Sequence, residues 1–558
     1  MIRLSFPYAL ALGLAATAAA RAEPVFAPGR TAAASAGVGT VAPFGPASSA
    51  LRPGERLAHA GQYQAGTTVL DDLAFEQALQ ARLNGAPPAP ELRPVWPAVR
   101  AMYAHTFNRP LWRADGRWTE AARSALARLA RAREDALDLS ALNASSLGRP
   151  ALDEGAPPDS VAAQDLALTA AVVAYARQAG GGRIEPSRLS PLITAKPKLP
   201  DPGEVVAALA AAGAAAGDRL ADYNPPSPQY RALRDKLAEL RGAASPVARA
   251  RIPAGPALKV GMRDPRVTLV RARFGLDMSP PGADAVYDVQ VAEAVAGFQR
   301  ANGLPPSGVL TPRTAALLSG DDARRPDRIV IANMERWRWA PRDLGPDRIE
   351  VDIPGYSLAL LRGGTVVHRA RVIVGKPDSP TPIFSNAMKF IVVNPSWHIP
   401  PGILKNEILP KLATDPGYVR RLGYEMTAKD GQISIRQPPG EKNALGRIKF
   451  MFPNDHSVYL HDTPNRSLFA ASRRAMSHGC VRVDDPLALA SVVLGGAWTE
   501  NKVKGLVGRG ERTLNLPQPL PIHLEYFTAQ MGEDGQLRLR QDIYGYDAAV
   551  IRALALKD

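Results

Sequence analysis

A second cysteine is missing from this chain of 558 residues: Cys480 stands alone. No disulfide framework can hold the fold, and an unpaired thiol is open to oxidation. Such a residue is either a small buried hydrophobe or a working nucleophile. Also missing are blocks of Lys and Arg interleaved with aromatics, the footprint of a nucleic-acid platform. The spacings of a zinc site are absent too, with no H-E-x-x-H and no paired cysteines. Beyond the N-terminus no apolar run is long enough to span a bilayer. Residues 166–176 and 205–217 are short, Ala-rich and read as packed helices.

What is present begins with charge. The 68 Lys and Arg against 53 Asp and Glu leave a net +15, spread along the chain. That balance suits nucleic acid, an anionic membrane surface or an acidic polymer, and equally a solvated basic surface. Residues 1–22 read as a secretory signal: Arg3, an apolar run from Leu4 to Ala20, then Ala20-Arg21-Ala22 before Glu23. The run is marginal for an uncleaved anchor. Export leaves no role for nucleic acid and favours an anionic polymer of the cell envelope.

Residues 23–70 are rich in Ala, Gly, Pro and Ser and read as a disordered linker. From 71 to 250 the pattern is helical, with Ala122, Leu126, Leu129, Ala132 and Leu137 at helix-like spacing. A separate unit follows at 251–320, and 321–346 supplies one more helix returning to that scaffold. From 347 to 525 the period changes to strands. Arg348–Ile353, Ser357–Leu361, Val366–Val374, Phe390–Asn394, Gln432–Arg436, Arg447–Phe452 and Ser457–His461 alternate or are β-rich, with Gly363-Gly364 as a hairpin turn. Residues 526–558 are a C-terminal extension. The fold class expected is α+β multidomain: a helical scaffold with an inserted three-helix module, then a mostly β domain.

Within the inserted unit, Val267, Val270 and Phe274 fall at helical spacing. Ala294-Val295-Ala296-Gly297-Phe298-Gln299 then leads to Gly303-Leu304, and Gly308-Val309-Leu310 to Thr314. These elements resemble a peptidoglycan-binding module of three short helices. The resemblance implies either binding to wall glycan or service as a spacer; Val291, Val295, Phe298 and Leu304 are core in both cases, as in any three-helix unit.

The chemistry gathers around Ser477-His478-Gly479-Cys480-Val481-Arg482, with His461 lying 19 positions upstream. No single helix face joins them, so the fold must. His461 closes the strand Ser457–His461, whose alternation places Tyr459 on the same face, where its hydroxyl can orient the imidazole. Gly479 lets backbone approach a carbonyl, so the N–H groups of Gly479 and Cys480 can form an oxyanion hole. An imidazole that accepts the thiol proton raises the nucleophilic fraction. A zinc site built from His456, His461, His478 and Cys480 is disfavoured, because His456 and His461 fall on opposite faces of a strand.

This constellation resembles the catalytic domain of the L,D-transpeptidase family (YkuD type), and the chain as a whole resembles its large, YcbB-like members. Matching stretches include Asn333-Met334-Glu335-Arg336-Trp337, Thr381-Pro382-Ile383-Phe384-Ser385, Asn394-Pro395-Ser396-Trp397, Asn443-Ala444-Leu445-Gly446 and Asp542-Ile543-Tyr544-Gly545. The resemblance implies Cys480 as nucleophile, His461 as base, backbone donors at Gly479 and Cys480, Arg482 bracing the loop, and a shaping role for His478. It also implies substrate contacts at Trp397, Asn443, Gly446 and Ser477, and a capping insertion at about 402–440; Trp397 reads equally as a core aromatic or as a wall of the cleft. Asp462 departs from smaller relatives, which carry glycine after the base histidine.

The implied function is periplasmic peptidoglycan cross-linking between third-position diamino acids of stem peptides, with no cofactor or metal. Carbapenem-type inhibitors would acylate the cysteine. Water or a protein amine as acceptor would instead make a carboxypeptidase or an anchoring enzyme. The non-enzyme alternative is a wall-binding protein.

Overall fold

The computed structural model describes residues 69–556, apart from 88–89, 107–108, 115–116, 143–156, 244–251, 277–284, 302–303, 320–324 and 430–431. The expected signal at 1–22 and the linker at 23–70 lie outside these residues, except that Val69 and Leu70 begin a helix. The architecture is α+β, with helices first and a mostly β region after residue 347. Among the described residues no helix is long and apolar enough to cross a membrane.

The helical part packs α1 (Val69–Asn84), α2 (Trp96–His105), α3 (Glu120–Ala130) and α5 (Pro202–Ala211) around α4 (Pro158–Gly181). The central helix is apolar nearly all round, as a helix enclosed by others must be. Thr119 starts α3 by accepting the Ala122 N–H, and Ala122 and Leu129 turn inward as their spacing requires. Next, α6 (Pro228–Ala243) leaves this core and joins another.

The inserted unit holds α7 (Arg266–Phe274), α8 (Val289–Ala301) and α9 (Pro312–Leu318) around Val267, Val270, Tyr287, Val291, Val295 and Leu310. Phe298 and Phe274 meet edge to face at 6.2 Å at the margin of this core. The glutamine of its Phe298-Gln299 pair is a structural pin. The buried Gln299 amide donates to Val309 O at 2.8 Å and accepts the Gly308 N–H at 2.9 Å, tying the helix to the Gly308-Val309-Leu310 turn.

The β region contains β1 (Arg348–Asp352), β2 (Ser357–Arg362), β3 (Thr365–Gly375), β4 (Phe384–Val393), β5 (Trp397–His398), β6 (Glu425–Lys429), β7 (Gln432–Gln437), β8 (Ile448–Met451), β9 (Leu460–His461), β10 (Ala475–Ser477), β11 (Val481–Val483) and β12 (Arg512–Glu525). The main sheet runs β3-β11-β9-β8-β4-β12-β1-β2, and pairing of β2 with β3 closes the row on itself. Closure leaves few strand edges open. β10 adds to β3 in parallel. Strand β4 starts six residues before the expected Phe390, and β9 keeps only the last two residues of the expected Ser457–His461. Ser457 has φ +55, which breaks the extended path there. β5, β7 and β6 form a separate small sheet in the capping segment, over a core of Ile399, Ile408, Val419 and Ile435.

α6, α10 (Pro326–Trp339) and the C-terminal helix α11 (Tyr546–Ala553) share one apolar core with the sheet. Residues 526–556 of the expected extension are therefore integral to that core. Buried charges staple these parts: Glu335 binds Arg338 at 3.0 Å, both fully enclosed, and also accepts the N–H groups of Arg183 and Ile184. Arg336 binds Asp547 at 2.7 Å, each side chain 5% exposed. Removing one member of such a pair strands a buried charge, at a cost of about 3–5 kcal/mol. Asp547→Ala should therefore shift the urea unfolding midpoint, followed by tryptophan fluorescence, to clearly lower denaturant by a loss in that range.

Candidate active site

Register builds the site. Parallel pairing sets Leu460 opposite Val481 and His461 opposite Arg482, and Val481 N–H bonds Tyr459 O at 3.1 Å. Cys480 therefore sits beside Tyr459, one step from His461. On the other flank Lys449 of β8 lies directly opposite His461. Alternation brings Lys449, His461 and Arg482 into one row across three strands, with Tyr459 and Cys480 in the next row on the same face. A spacing of 19 residues in sequence becomes adjacency in the sheet.

His461 is buried, and its Nδ1 lies against the backbone carbonyl of Asp462. A carbonyl can only accept, so Nδ1 carries the proton and Nε2 is the basic nitrogen. Asp462 is held in turn. Its carboxylate accepts Arg447 N–H at 2.8 Å and Thr463 N–H at 2.6 Å, with Arg466 at 3.2 Å. The Tyr459 ring stands edge-on to the imidazole at 5.7 Å. The expected Tyr459 role is corrected: its hydroxyl turns to Cys480 and the Trp397 indole, and the Asp462 carbonyl orients the imidazole.

Cys480 is half-buried, with Sγ 4.0 Å from Ser457 O. Burial pushes its thiol up, against hydrogen bonding from Tyr459 and the positive charges of Lys449 and Arg482. Burial, then Arg482 and Lys449, hold His461 down to about 3. Both shifts favour the neutral thiol and the neutral imidazole. Lys449 places its Nζ 4.1 Å from the Tyr459 ring centroid, and burial lowers its own pKa. Among the described residues Arg482 Nε is buried without a hydrogen-bond partner, and the charge of Arg482 acts on Cys480 and His461.

The turn that carries Cys480 is held by Ser477. Its buried Oγ donates to Cys480 O at 2.5 Å and accepts Gly479 N–H at 3.2 Å. Gly479, at φ +113, is a position that a side chain would strain. The expected oxyanion hole is narrowed, because the Gly479 N–H is occupied by Ser477, which leaves Cys480 N–H as the open donor. Ser477 is thereby a pin of this turn.

Trp397 is half-buried, bridging the cap core and the Tyr459 hydroxyl. His478 is exposed and bonds Glu407 of the cap at 2.7 Å, joining the nucleophile turn to that segment. Asn443 is 1% exposed, donating to Gln437 O and Pro438 O and accepting Leu445 N–H, so its side chain is engaged within its own turn. Gly446, at φ +61, makes room for Asp462: an added Cβ would stand 2.4 Å from the carboxylate carbon. Gly446 thus sets the space beside the His461 loop, and Asn443 accepts the Gly446 N–H through its backbone carbonyl at 2.9 Å. His456 bonds Thr194 at 2.9 Å and contacts the Phe384 ring. Sequence reasoning missed Lys449, although a lysine between Ile448 and Phe450 in a strand must face away from the apolar side.

Comparisons with known proteins match three parts of the chain. Residues 346–504 match the L,D-transpeptidase catalytic domain model (YkuD), 97–237 a scaffold domain, and 272–318 a family described as "Putative peptidoglycan binding domain". A Haemophilus influenzae protein described as "Putative L,D-transpeptidase" is 36% identical over 222 residues, covering 36% of this chain and 45% of that protein. The match thus spans less than half of that relative. Two solved structures are also similar. The L,D-transpeptidase from Mycobacterium smegmatis has 16% identity and a TM-score of 0.17, over 32% of this chain and 58% of that one. The Enterococcus faecium catalytic domain acylated by ertapenem has 14% identity and a TM-score of 0.16, over 32% and 97%. Residues 346–504 are an L,D-transpeptidase catalytic domain of the YkuD type. The chain carries it together with a scaffold domain and a peptidoglycan-binding domain.

Two outcomes follow from the electrostatics. Alkylation of Cys480 by iodoacetamide should rise with pH to a midpoint above that of a free thiol, with no inflection at about 6–7, where an ordinary histidine titrates. Lys449→Ala should move that midpoint higher still, because the lost cation favours the thiolate. Gly446→Ala should lower the melting temperature and slow alkylation little, since the clash falls on Asp462 and not on the thiol.

Proposed function

We propose that this chain is a peptidoglycan L,D-transpeptidase acting outside the cytoplasm, in the periplasm. The observation that carries the reading is the shared face of Cys480, His461, Lys449 and Arg482 in a matched catalytic domain. Cys480 attacks the carbonyl of the third stem residue, a diamino acid, while His461 Nε2 takes the thiol proton as the C–S bond forms. Cys480 N–H receives the oxyanion. Collapse breaks the amide bond; His461 returns the proton to the departing D-alanine amine and leaves a thioester. The side-chain amine of a second stem then attacks, His461 takes its proton, and the sulfur departs as thiol. Lys449 and Arg482 supply positive charge that suits the carboxylates of a stem peptide.

The neutral resting pair fits this order of events, since proton transfer accompanies attack and no free thiolate is stored. Transfer to water or to a protein amine uses the same thioester. The peptidoglycan-binding domain holds the enzyme to glycan. Carbapenems, whose strained amide presents a similar carbonyl, should acylate Cys480, as ertapenem acylates the Enterococcus domain.

Incubation with disaccharide-tetrapeptide and mass analysis of products tests the reading. Cross-linked dimer and free D-alanine are expected from the wild type. Cys480→Ser should yield neither, and His461→Ala should lose about 10²–10⁴-fold in rate. A wild type that forms no covalent adduct from tetrapeptide or carbapenem would sink the proposal. Removing 252–319 with a short linker should weaken co-sedimentation with sacculi at high salt, where exposed-charge attraction is screened, and spare acylation by a soluble carbapenem.

A further inference from the structure

The stretches Thr381-Pro382 and Asp542-Ile543-Tyr544-Gly545 have no part in the chemistry above, yet they converge on the nucleophile turn. Thr381 is fully buried, and its Oγ1 donates to Gly479 O at 2.8 Å. The same oxygen accepts Gly375 N–H at 2.9 Å. Its one proton is thus committed to Gly479, and the direction of the bond is fixed. The Tyr544 hydroxyl accepts Thr381 N–H at 3.2 Å and donates to Gly375 O at 2.7 Å, closing a small ring of bonds around the threonine. Tyr544 is itself fixed, with its N–H on the Tyr526 hydroxyl at 2.9 Å and the two rings stacked at 5.4 Å. Tyr526 donates to Asp542 at 2.6 Å.

Gly479 O and Cys480 N–H belong to one planar peptide unit and point in opposite directions. Whatever holds the oxygen therefore aims the hydrogen. Glycine at φ +113 lets that plane rotate more freely than any other residue would. Ser477 holds the planes on either side, through Gly479 N–H and Cys480 O. Among the described residues, only Thr381 holds this one. A bond to the carbonyl also polarises the amide and strengthens its N–H as a donor.

We infer that Thr381, held by Tyr544 of the C-terminal segment, is a positioning residue that aims the Cys480 N–H at the developing acyl oxyanion. The inference rests on the acyl-transfer reading of Cys480. It makes the C-terminal segment part of the catalytic apparatus, although that segment contacts no reacting atom.

Two reactions of the same sulfur separate this role from simple support. Opening of a carbapenem ring builds an oxyanion, whereas alkylation by iodoacetamide does not. In the full chain, Thr381→Val should slow carbapenem acylation roughly 10- to 100-fold and change alkylation by less than roughly 3-fold, with its pH midpoint unmoved. Thr381→Ser, which keeps the hydroxyl, should restore acylation to within roughly 3-fold of the wild type. Tyr544→Phe should fall between, again with alkylation spared. Should Thr381→Val fail to fold, Tyr544→Phe decides by the same split. Wild-type acylation in Thr381→Val, or equal loss of both reactions, overturns the inference while leaving acyl transfer intact. A wild type that alkylates but never acylates removes the acyl-transfer reading and the inference with it.

Discussion

The pairing of β9 with β11 is the constraint on which the site depends. These strands are two and three residues long, too short to hold a register alone. A slip of one residue would send His461 and Cys480 to opposite faces. The register is imposed from outside. β8 and β3 flank the pair within a closed sheet, the Asp462 carboxylate ties the His461 loop to Arg447, and Ser477 and Thr381 hold the nucleophile turn. Gly446 is glycine because Asp462 occupies the space where a side chain would begin.

A second constraint is electrostatic. Cys480 and His461 lie in a partly enclosed face whose cations, Lys449 and Arg482, oppose a protonated imidazole and favour a thiolate. Burial works against both charged forms, and for the thiol it outweighs the cations. The outcome is an uncharged pair with its tautomer set by a backbone carbonyl. In the proposed reaction such a pair needs no stored thiolate, because the proton leaves as the electrophile accepts the electron pair. In an oxidising compartment an uncharged lone thiol is also less exposed to oxidation than a stored thiolate would be.

The scaffold and the C-terminal segment are tied to this chemistry through one core. Tyr230 and Leu233 of α6, Val330 and Met334 of α10, and Val550 of α11 pack with strand residues such as Val374 and Val481. Glu335, Arg336, Arg338 and Asp547 are buried ions that fix how those helices meet. Such groups contribute geometry more than net stability. The Cap segment reaches the turn separately, through the His478–Glu407 contact.

Residue types and their short-range periods determined much of this by themselves. The lone Cys480 after glycine, His461 at the end of an apolar strand, the alternation of β1 to β3, and the Phe298-Gln299 and Gly308-Val309-Leu310 elements are local patterns, and local patterns survive in one dimension. Long-range pairing decided the rest. Asn443 and Gly446 entered as substrate contacts through the family resemblance alone; the backbone atoms and the carboxylate they meet are set by the tertiary structure. Residue order alone left Gly479 with a free N–H, because it does not show that the Ser477 hydroxyl folds back onto it. Lys449, Thr381 and Tyr544 are separated by long stretches of chain from Cys480, and only the closed sheet and the shared core bring them to it. Spacing along the chain carries no information about which strand becomes a neighbour; hydrogen-bond register and burial do.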